Sequence, residues 1–269
     1  MGNDLFSLSN RVIIITGGLG QLGLAYTKAL LGCGARVAAI DCRKATNESS
    51  LSKAEQARLL IIEGDVTNRT SLEQALGQIL ETWGTPHGLI NNAAIDAPPD
   101  APPAENGPFE QYPETSWDRV LDVNVKGPFL CAQVFGAEMA RAKQGSIINI
   151  GSIYGVVSPD QRLYEYRRTR GEEFYKPIAY AASKSALLNM TRYLATYWGA
   201  SNVRVNSLTL GGVFNHQEEP FLREYETRVP LGRMATAADY LGPVLFLLSD
   251  ASCYMTGANL VVDGGWTAW

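Results

Sequence analysis

The sequence predicts a doubly wound α/β fold, a parallel seven-stranded sheet with helices on both faces. Three observations carry that expectation. Short β-branched runs alternate with helix-period segments along the chain. The first of these runs ends in a glycine-rich turn that opens a helix. The 269 residues, 46% hydrophobic, suffice for one large core, so residues 1–269 read as one domain.

Arg11 to Thr16 (RVIIIT) reads as a buried parallel strand. It runs into Gly17-Gly18-Leu19-Gly20-Gln21-Leu22-Gly23, and a helix face of Leu22, Ala25, Tyr26, Ala29 and Leu30 follows. Arg36 to Ile40 is a second strand, closed by Asp41. Gly18, Gly20 and Gly23 fit GxGxxG between strand and helix. Glycines there let the backbone approach a pyrophosphate, whose charge sits at the helix N-terminus. Asp41 stands 18 residues after Gly23, where a carboxylate accepts hydrogen bonds from an adenosine ribose diol. The same charge repels a 2′-phosphate, so NAD is expected over NADP. Arg43 is the counter-signal, because its guanidinium could pair with that phosphate. The plain alternative is a glycine turn that only connects two elements, and both flanks argue against it.

Leu59 to Ile62 is a third strand, ending in Gly64-Asp65-Val66, and Asn68 to Trp83 is an amphipathic helix. Gly88-Leu89-Ile90 is a fourth strand that continues into Asn91-Asn92-Ala93-Ala94. Amides there can hold neighbouring strands and small side chains leave room for a cofactor; a simple turn is the other reading. Asp96 to Pro113, with Pro98-Pro99 and Pro102-Pro103, reads as one long loop. It leaves the sheet at a strand C-terminal end, where α/β proteins bind ligands, although surface filler is the alternative.

Ser116 to about Lys143 is expected as one helix, with Trp117, Val120, Leu121, Val123, Phe129 and Phe135 facing inward. Asn124 is polar among apolar neighbours: it is hydrogen-bonded structurally, or it bends the helix and holds a water. Gly145 to Ile150 is a fifth strand and puts Ser152 at the C-terminal edge. A helix from Ile178 to Trp198 carries Tyr180 and Lys184. Four apart, they share a face, with Cβ atoms roughly 6 Å apart. A phenol with its usual pKa of ~10 is a poor proton carrier at neutral pH. A neighbouring ammonium lowers that value, and the pair can then serve as general acid or base on an alcohol or carbonyl oxygen. The spacing alone also occurs on solvated faces. Val203 to Asn206 and Asn259 to Val262 are the sixth and seventh strands, the last closed by Asp263-Gly264-Gly265.

A net charge of −4 gives no ground for a nucleic-acid or anionic-membrane partner. No apolar stretch approaches the ~20 residues of a membrane helix. The N-terminus lacks the basic and apolar regions of a secretory signal, and Gly2 has no polybasic patch to support lipid anchoring. Cys33, Cys42, Cys131 and Cys253 form no CxxC pair and read as reduced thiols of a cytoplasmic protein. Two histidines, His87 and His216, cannot assemble a zinc cluster, so no metal is assigned.

Taken together, the chain resembles a short-chain dehydrogenase/reductase over almost its whole length. The resemblance rests on Thr16 to Gly23, Asp65-Val66, Asn91 to Ala94, Asn124, Ser152, Tyr180 with Lys184, Asn206, Thr256-Gly257 and Asp263-Gly264-Gly265. It implies a Rossmann fold that transfers a hydride between nicotinamide and a secondary alcohol or ketone. It further implies Tyr180 as acid/base, with Lys184 lowering its pKa and binding the nicotinamide ribose. Ser152 would hold the substrate oxygen, and Asn124 a water that links Lys184 to solvent. The implied cofactor set is Gly17, Gly20, Gln21, Leu22, Asp41, Asp65, Val66, Asn91, Ala93, Tyr180, Lys184, Gly211 and Val213. A homo-oligomer, tetramer or dimer, is expected, with Trp266 and Trp269 as exposed tryptophans calling for cover.

The chain departs from the family pattern in three places. Gln21 replaces a glycine, which brings the turn nearer TGxxGxxG. Leu210-Gly211 stands for Pro-Gly, and Asn215 for the threonine that touches the nicotinamide amide. Ser152 and Tyr180 are 28 residues apart, about twice the family's usual gap, through an insertion at about 158–177. That insertion carries Arg162, Arg167, Arg168 and Arg170, suited to an anionic or hydroxyl-rich substrate. A charge-balanced solvated loop is the alternative. A looser likeness links the stretch after Ser152 to oxidoreductases of bacterial surface-sugar and nonulosonic-acid pathways. The leading expectation is an NAD-dependent enzyme acting on a polar, sugar-like small molecule. The alternatives are a reductase of 3-oxoacyl thioesters and a non-catalytic dinucleotide sensor.

Overall fold

Seven strands form one sheet: β1 (Val12–Thr16), β2 (Arg36–Asp41), β3 (Leu59–Glu63), β4 (Gly88–Asn91), β5 (Gly145–Ser152), β6 (Val203–Leu210) and β7 (Asn259–Val262). The computed structural model describes residues 4–44, 52–96 and 103–269. The strands lie in the order β3-β2-β1-β4-β5-β6-β7 and every pairing is parallel. The chain builds outward from β1 to β3, then crosses back to place β4 on the other side of β1. That reversal opens a crevice beyond the C-terminal ends of β1 and β4, the usual ligand position in such sheets.

Alternation along the strands divides the core. Ile14, Ala38 and Ile40 face Leu72 and Ile79 of the helix Arg69–Trp83, together with Phe135 and Trp198. Ile13, Ile15 and Val37 face Tyr26 and Leu30 of the helix Gln21–Gly32, with Leu247 and Leu248 of the helix Leu241–Leu248. Both faces being covered explains why the strands read as continuous apolar runs.

The segment expected as one helix from Ser116 is three α-helical pieces, Glu114–Leu121, Gly127–Cys131 and Ala137–Arg141, joined by π-helical turns Asp122–Lys126 and Ala132–Gly136. A π turn holds one extra residue, so the buried face moves on by one position downstream. Phe129, expected inside, is therefore 47% exposed, and Leu130 is buried in its place.

β6 runs four residues beyond the Asn206 expected from sequence. Ser207 and Thr209 continue it although they are polar and buried, because partners are supplied. The Asn91 amide donates to Asn149 Oδ1 at 2.8 Å, the Asn149 amide donates to Thr191 Oγ1 at 2.8 Å, and Thr191 Oγ1 lies 2.8 Å from Ser207 Oγ. This buried chain stitches β4, β5, the helix Ile178–Trp198 and β6.

The proline-rich loop lies partly outside the described residues, as does Gly2; its later part forms short 3-10 turns at Pro103–Asn106 and Phe109–Gln111. The insertion is not a solvated loop. It folds as a 3-10 turn, Gln161–Tyr164, and a helical turn, Glu165–Arg168. Leu163 and Tyr164 are buried with Tyr225 and Trp266 in a third apolar cluster. Trp266 stacks on Tyr225 with ring centroids 4.6 Å apart, so Trp269 alone of the terminal tryptophans is exposed. Among the described residues, no helix is long and apolar enough to cross a membrane.

Asn149→Ala should strip a partner from both Asn91 and Thr191. Thr191 keeps Ser207, so the Asn91 amide is the buried group left unpaired, at about 1–3 kcal/mol. Urea unfolding should show that loss, and an unchanged midpoint would mean the chain carries no stability.

Candidate active site

The glycine turn after β1 works because nothing protrudes from it. Gly17 has φ +64, and a Cβ there would come 2.9 Å from Ala93 Cα. A Cβ on Gly23 would lie 2.2 Å from the Gly17 carbonyl, so the following helix packs directly on the turn. Asn92 pins it: its amide donates to the carbonyls of Thr16 (3.0 Å) and Gly17 (3.1 Å). Thr16 Oγ1 accepts from the backbone N–H of Asn92 and Ala93, both at 3.1 Å. Gly20 is extended and offers no side-chain cap, so the first helical N–H groups stay open to a ligand.

A cavity of about 640 Å³ follows this turn, lined by Gly17, Gly20, Gln21, Leu22, Asp41, Arg43, Asp65, Val66 and Ala93, among others. Asp41 is buried at its floor and accepts from Leu19 N at 2.9 Å and from Arg43 N at 3.1 Å. The Arg43 guanidinium bonds both carboxylate oxygens, at 2.9 and 3.0 Å. Burial pushes the Asp41 pKa up, but the hydrogen bonds from Arg43 and Leu19 outweigh it and hold the carboxyl below its ordinary value. Turn, open helix end and buried carboxylate fit a dinucleotide.

A second cavity, about 330 Å³, shares Leu22, Asn92 and Ala94 with the first. Ser152, Tyr180, Lys184, Gly211 and Val213 line it. Ser152 ends β5 in register with Leu210, and its Oγ accepts from Tyr154 N at 3.2 Å. Tyr180 lines the same cavity, across the 28 residues that separate the two. Lys184 is buried; its ammonium donates to the Ile150 carbonyl at 2.9 Å and lies 5.7 Å from the centre of the Tyr180 ring.

The sequence expectation was that Lys184 lowers the Tyr180 pKa. In the ligand-free site burial dominates instead. It pushes Tyr180 up to about 12, with Asp96 adding to the rise and the Ser152 hydrogen bond opposing it. It takes Lys184 down to about 8, against the pull of Asp96. Each shift favours the uncharged form.

Asn124 is hydrogen-bonded structurally, the first of its two sequence readings. It sits in a π-helical turn and is fully bonded: its Oδ1 accepts from Ile95 N at 2.8 Å, and its amide donates to Ile95 O at 2.8 Å and Ser183 Oγ at 3.0 Å. Ser183 in turn donates to the Tyr180 carbonyl at 2.7 Å.

Asn91, Asn215 and the four insertion arginines lie elsewhere or do other work. Asn91 lines neither cavity, because its side chain turns into the sheet toward Asn149; Asn92 lines both. Asn215 is exposed and absent from both linings, whereas Gln217 lines the second and donates to Val213 O at 3.0 Å. The four insertion arginines line neither cavity. Arg162 bonds Asp160, Arg167 bonds Glu172, Arg168 bonds Glu165, and Arg170 reaches Glu218. Their carboxylates come from the same charge-balanced stretch or from the loop opposite, so the charges are spent on scaffolding. What the insertion gives the cavity is Tyr164 and Lys176. The Lys176 position beside Pro177 and four before Tyr180 was the sequence signal for it.

Residues 20–267 match a family model described as enoyl-(acyl carrier protein) reductase. The chain belongs to the short-chain dehydrogenase/reductase family. It is 33% identical to 2-(S)-hydroxypropyl-CoM dehydrogenase 3 of Xanthobacter autotrophicus, over 97% of this chain and 98% of that one. It is 31% identical to the ribulose-forming D-arabinitol 2-dehydrogenase of Candida tropicalis, over 98% and 95%. A crystal structure of a short-chain dehydrogenase from Leptospira borgpetersenii with bound NAD+ superposes with a TM-score of 0.85 at 32% identity, covering 99% of this chain and 96% of that one. This short-chain dehydrogenase/reductase is thus an oxidoreductase acting on CH–OH donors with a nicotinamide dinucleotide. The looser likeness to nonulosonic-acid enzymes is not borne out, since the similar proteins oxidise other alcohols.

Oxidising an alcohol releases a proton, and near neutral pH burial keeps Tyr180 protonated and unable to accept it. Oxidation kcat/KM should therefore rise from pH 7 through 9, while ketone reduction, which draws on the protonated phenol, should hold level over the same range. The apparent pKa in such profiles belongs to the Tyr180–Lys184 pair. Flat profiles in both directions would count against the pair as the proton carrier.

Proposed function

We propose that this enzyme interconverts a secondary hydroxyl of a neutral polyol and the corresponding ketone, with NAD(H). The observation that carries the reading is the meeting of Ser152, Tyr180 and Lys184 in one cavity that joins a dinucleotide-sized one. Asp96, Lys176 and Gln217 in its lining favour hydroxyl groups over the acyl chain of a 3-oxoacyl thioester. The arabinitol dehydrogenase and the hydroxypropyl-CoM dehydrogenase to which the chain is similar support an alcohol substrate.

In this reading Tyr180 gives or takes the proton at the substrate oxygen, and Ser152 holds that oxygen by hydrogen bonding. Lys184 steadies the phenolate and binds the nicotinamide ribose. Asn124 fixes Ile95 and Ser183; with both amide donors spent, a relay water would rest on its backbone carbonyl. Gly20, Gln21 and Leu22 would hold the pyrophosphate, Asp41 the adenosine ribose, and Asp65 and Val66 the adenine side. Gly211 and Val213 would flank the nicotinamide, which supplies or accepts the hydride when bound.

The proposal extends to assembly and location. Tyr193 and Tyr197 stack at 6.0 Å while 65% and 66% exposed, and Trp269 is 81% exposed, which suits a homo-oligomer, a tetramer or dimer. Four free thiols suit the cytoplasm.

A screen of D-arabinitol, galactitol and glycerol with NAD+ tests the reading. Tyr180→Phe should lower kcat about 10²–10⁴-fold while NADH binding, followed by nicotinamide fluorescence, holds. Undiminished turnover in that variant would remove Tyr180 from the chemistry.

Cofactor choice turns on Asp41, which is buried, and Arg43, whose side chain is 59% exposed and free to swing away. NADH should exceed NADPH in kcat/KM, and Arg43→Ala should widen the ratio by removing a cation for the 2′-phosphate. A wild-type preference for NADPH would show that Arg43 overrides the carboxylate.

A further inference from the structure

The insertion presents one cation to the substrate cavity, and several bonds fix its backbone. Lys176 N donates to Gln161 Oε1 at 2.8 Å, and Gln161 Nε2 donates back to Lys176 O at 3.2 Å. Arg168 holds both approaches to this bracket, donating to Gln161 O at 2.7 Å and to Phe174 O at 2.8 Å. Tyr175 N donates to Asn106 O at 2.7 Å, tying the same strand of chain to the loop after β4. Pro177 then starts the helix that carries Tyr180. The side chain that emerges is 14% exposed, and its ammonium pairs with Asp96, which is 53% exposed. That ammonium lies 5.4 Å from the centre of the Tyr180 ring. It is thus within a few carbon–carbon bonds of any substrate oxygen that Tyr180 holds.

Among the described residues, the charged side chains lining this cavity are Asp96, Lys176 and Lys184. Lys184 is occupied by Ile150 and sits beneath the tyrosine. The remaining two form a donor and an acceptor of opposite charge, side by side at the mouth. A hydroxyl can satisfy both, accepting from an ammonium and donating to a carboxylate. A carboxylate or phosphate would satisfy only the lysine and would meet the charge of Asp96.

We propose that Lys176 and Asp96 clamp a substrate hydroxyl remote from the reacting carbon, and that this clamp selects neutral polyols over hydroxy acids. The inference rests on the polyol reading and names the residues that set its specificity. The clamp binds ground and transition states alike, so its loss falls on KM more than on kcat.

The experiment compares kcat/KM for D-arabinitol, propan-2-ol and gluconate in the wild type, Lys176→Met and Asp96→Asn. In Lys176→Met the arabinitol-to-propan-2-ol ratio should fall at least about tenfold, mostly through KM, as expected for a lost charge-assisted hydrogen bond. In Asp96→Asn the gluconate-to-arabinitol ratio should rise, because an anion then meets Lys176 without the opposing carboxylate. NADH fluorescence titration checks that each variant is folded, and Asp96→Asn decides the matter if Lys176→Met is not. Unchanged ratios in folded variants overturn the clamp while leaving the dehydrogenase reading intact. A wild type that oxidises propan-2-ol but not arabinitol overturns the clamp as well. A wild type that oxidises neither alcohol overturns the polyol reading, and the clamp with it.

Discussion

Ser152 and Tyr180 line one cavity although 28 residues separate them, and the second half of the molecule is shaped by that convergence. The serine is fixed by the last rung of β5 against β6, and the tyrosine by the first turn of a 21-residue helix. Both anchors are rigid, so the chain between them must leave the sheet edge and return to it. A flexible excursion would let water into the site and scatter its own charges across the mouth. Here the excursion has its own apolar seat, with Leu163 and Tyr164 packed against Tyr225 and Trp266. Its arginines are held by local carboxylates. Individually such exposed pairs contribute little. Together with the Arg168 bonds to two backbone carbonyls they fix the loop's path.

The same rigidity carries Lys184. An ammonium removed from water is costly unless it is well partnered, and this one has a single carbonyl and a nearby phenol ring. Burial lowers its pKa to about 8, against the pull of Asp96. In the proposed reading, a ribose hydroxyl and a phenolate would be further partners for that ammonium. Binding and ionisation therefore reinforce each other: each new partner makes the charged lysine easier to keep, and the charged lysine makes the phenolate easier to form.

What could be read in the sequence was whatever depends on neighbours along the chain. The β-branched runs, the glycine turn and the Tyr180–Lys184 spacing are of this kind, and the fold and the centre of the site follow from them. What could not be read depends on partners far away. Ser207 and Thr209 belong to β6 only because Asn149, Thr191 and Asn259 supply hydrogen bonds. Phe129 faces out because the π turn at Asp122–Lys126 moves the helix face by one position. Asn91 and Asn92 are adjacent and chemically identical, yet one reaches Asn149 across the sheet and the other pins the glycine turn. The insertion misled for a related reason. Its arginine count suggested anion binding, but the carboxylates that neutralise those arginines are recognisable as partners only once the loop is folded.

The two ends of the joined cavities follow one electrostatic scheme with the signs exchanged. At the cofactor end the buried member is the acid, with Asp41 4% exposed under an Arg43 that is 59% exposed. At the substrate end the buried member is the base, with Lys176 14% exposed beneath an Asp96 that is 53% exposed. In each pair the inner charge is held by the fold and the outer one is free to move. Each outer partner keeps contact with solvent, which gives a ligand hydroxyl a route to take its place. The free protein meanwhile leaves neither inner charge bare. In the proposed reading, ribose hydroxyls of the dinucleotide would meet Asp41 at one end and a substrate hydroxyl would meet Lys176 at the other, each taking the place of an outer partner.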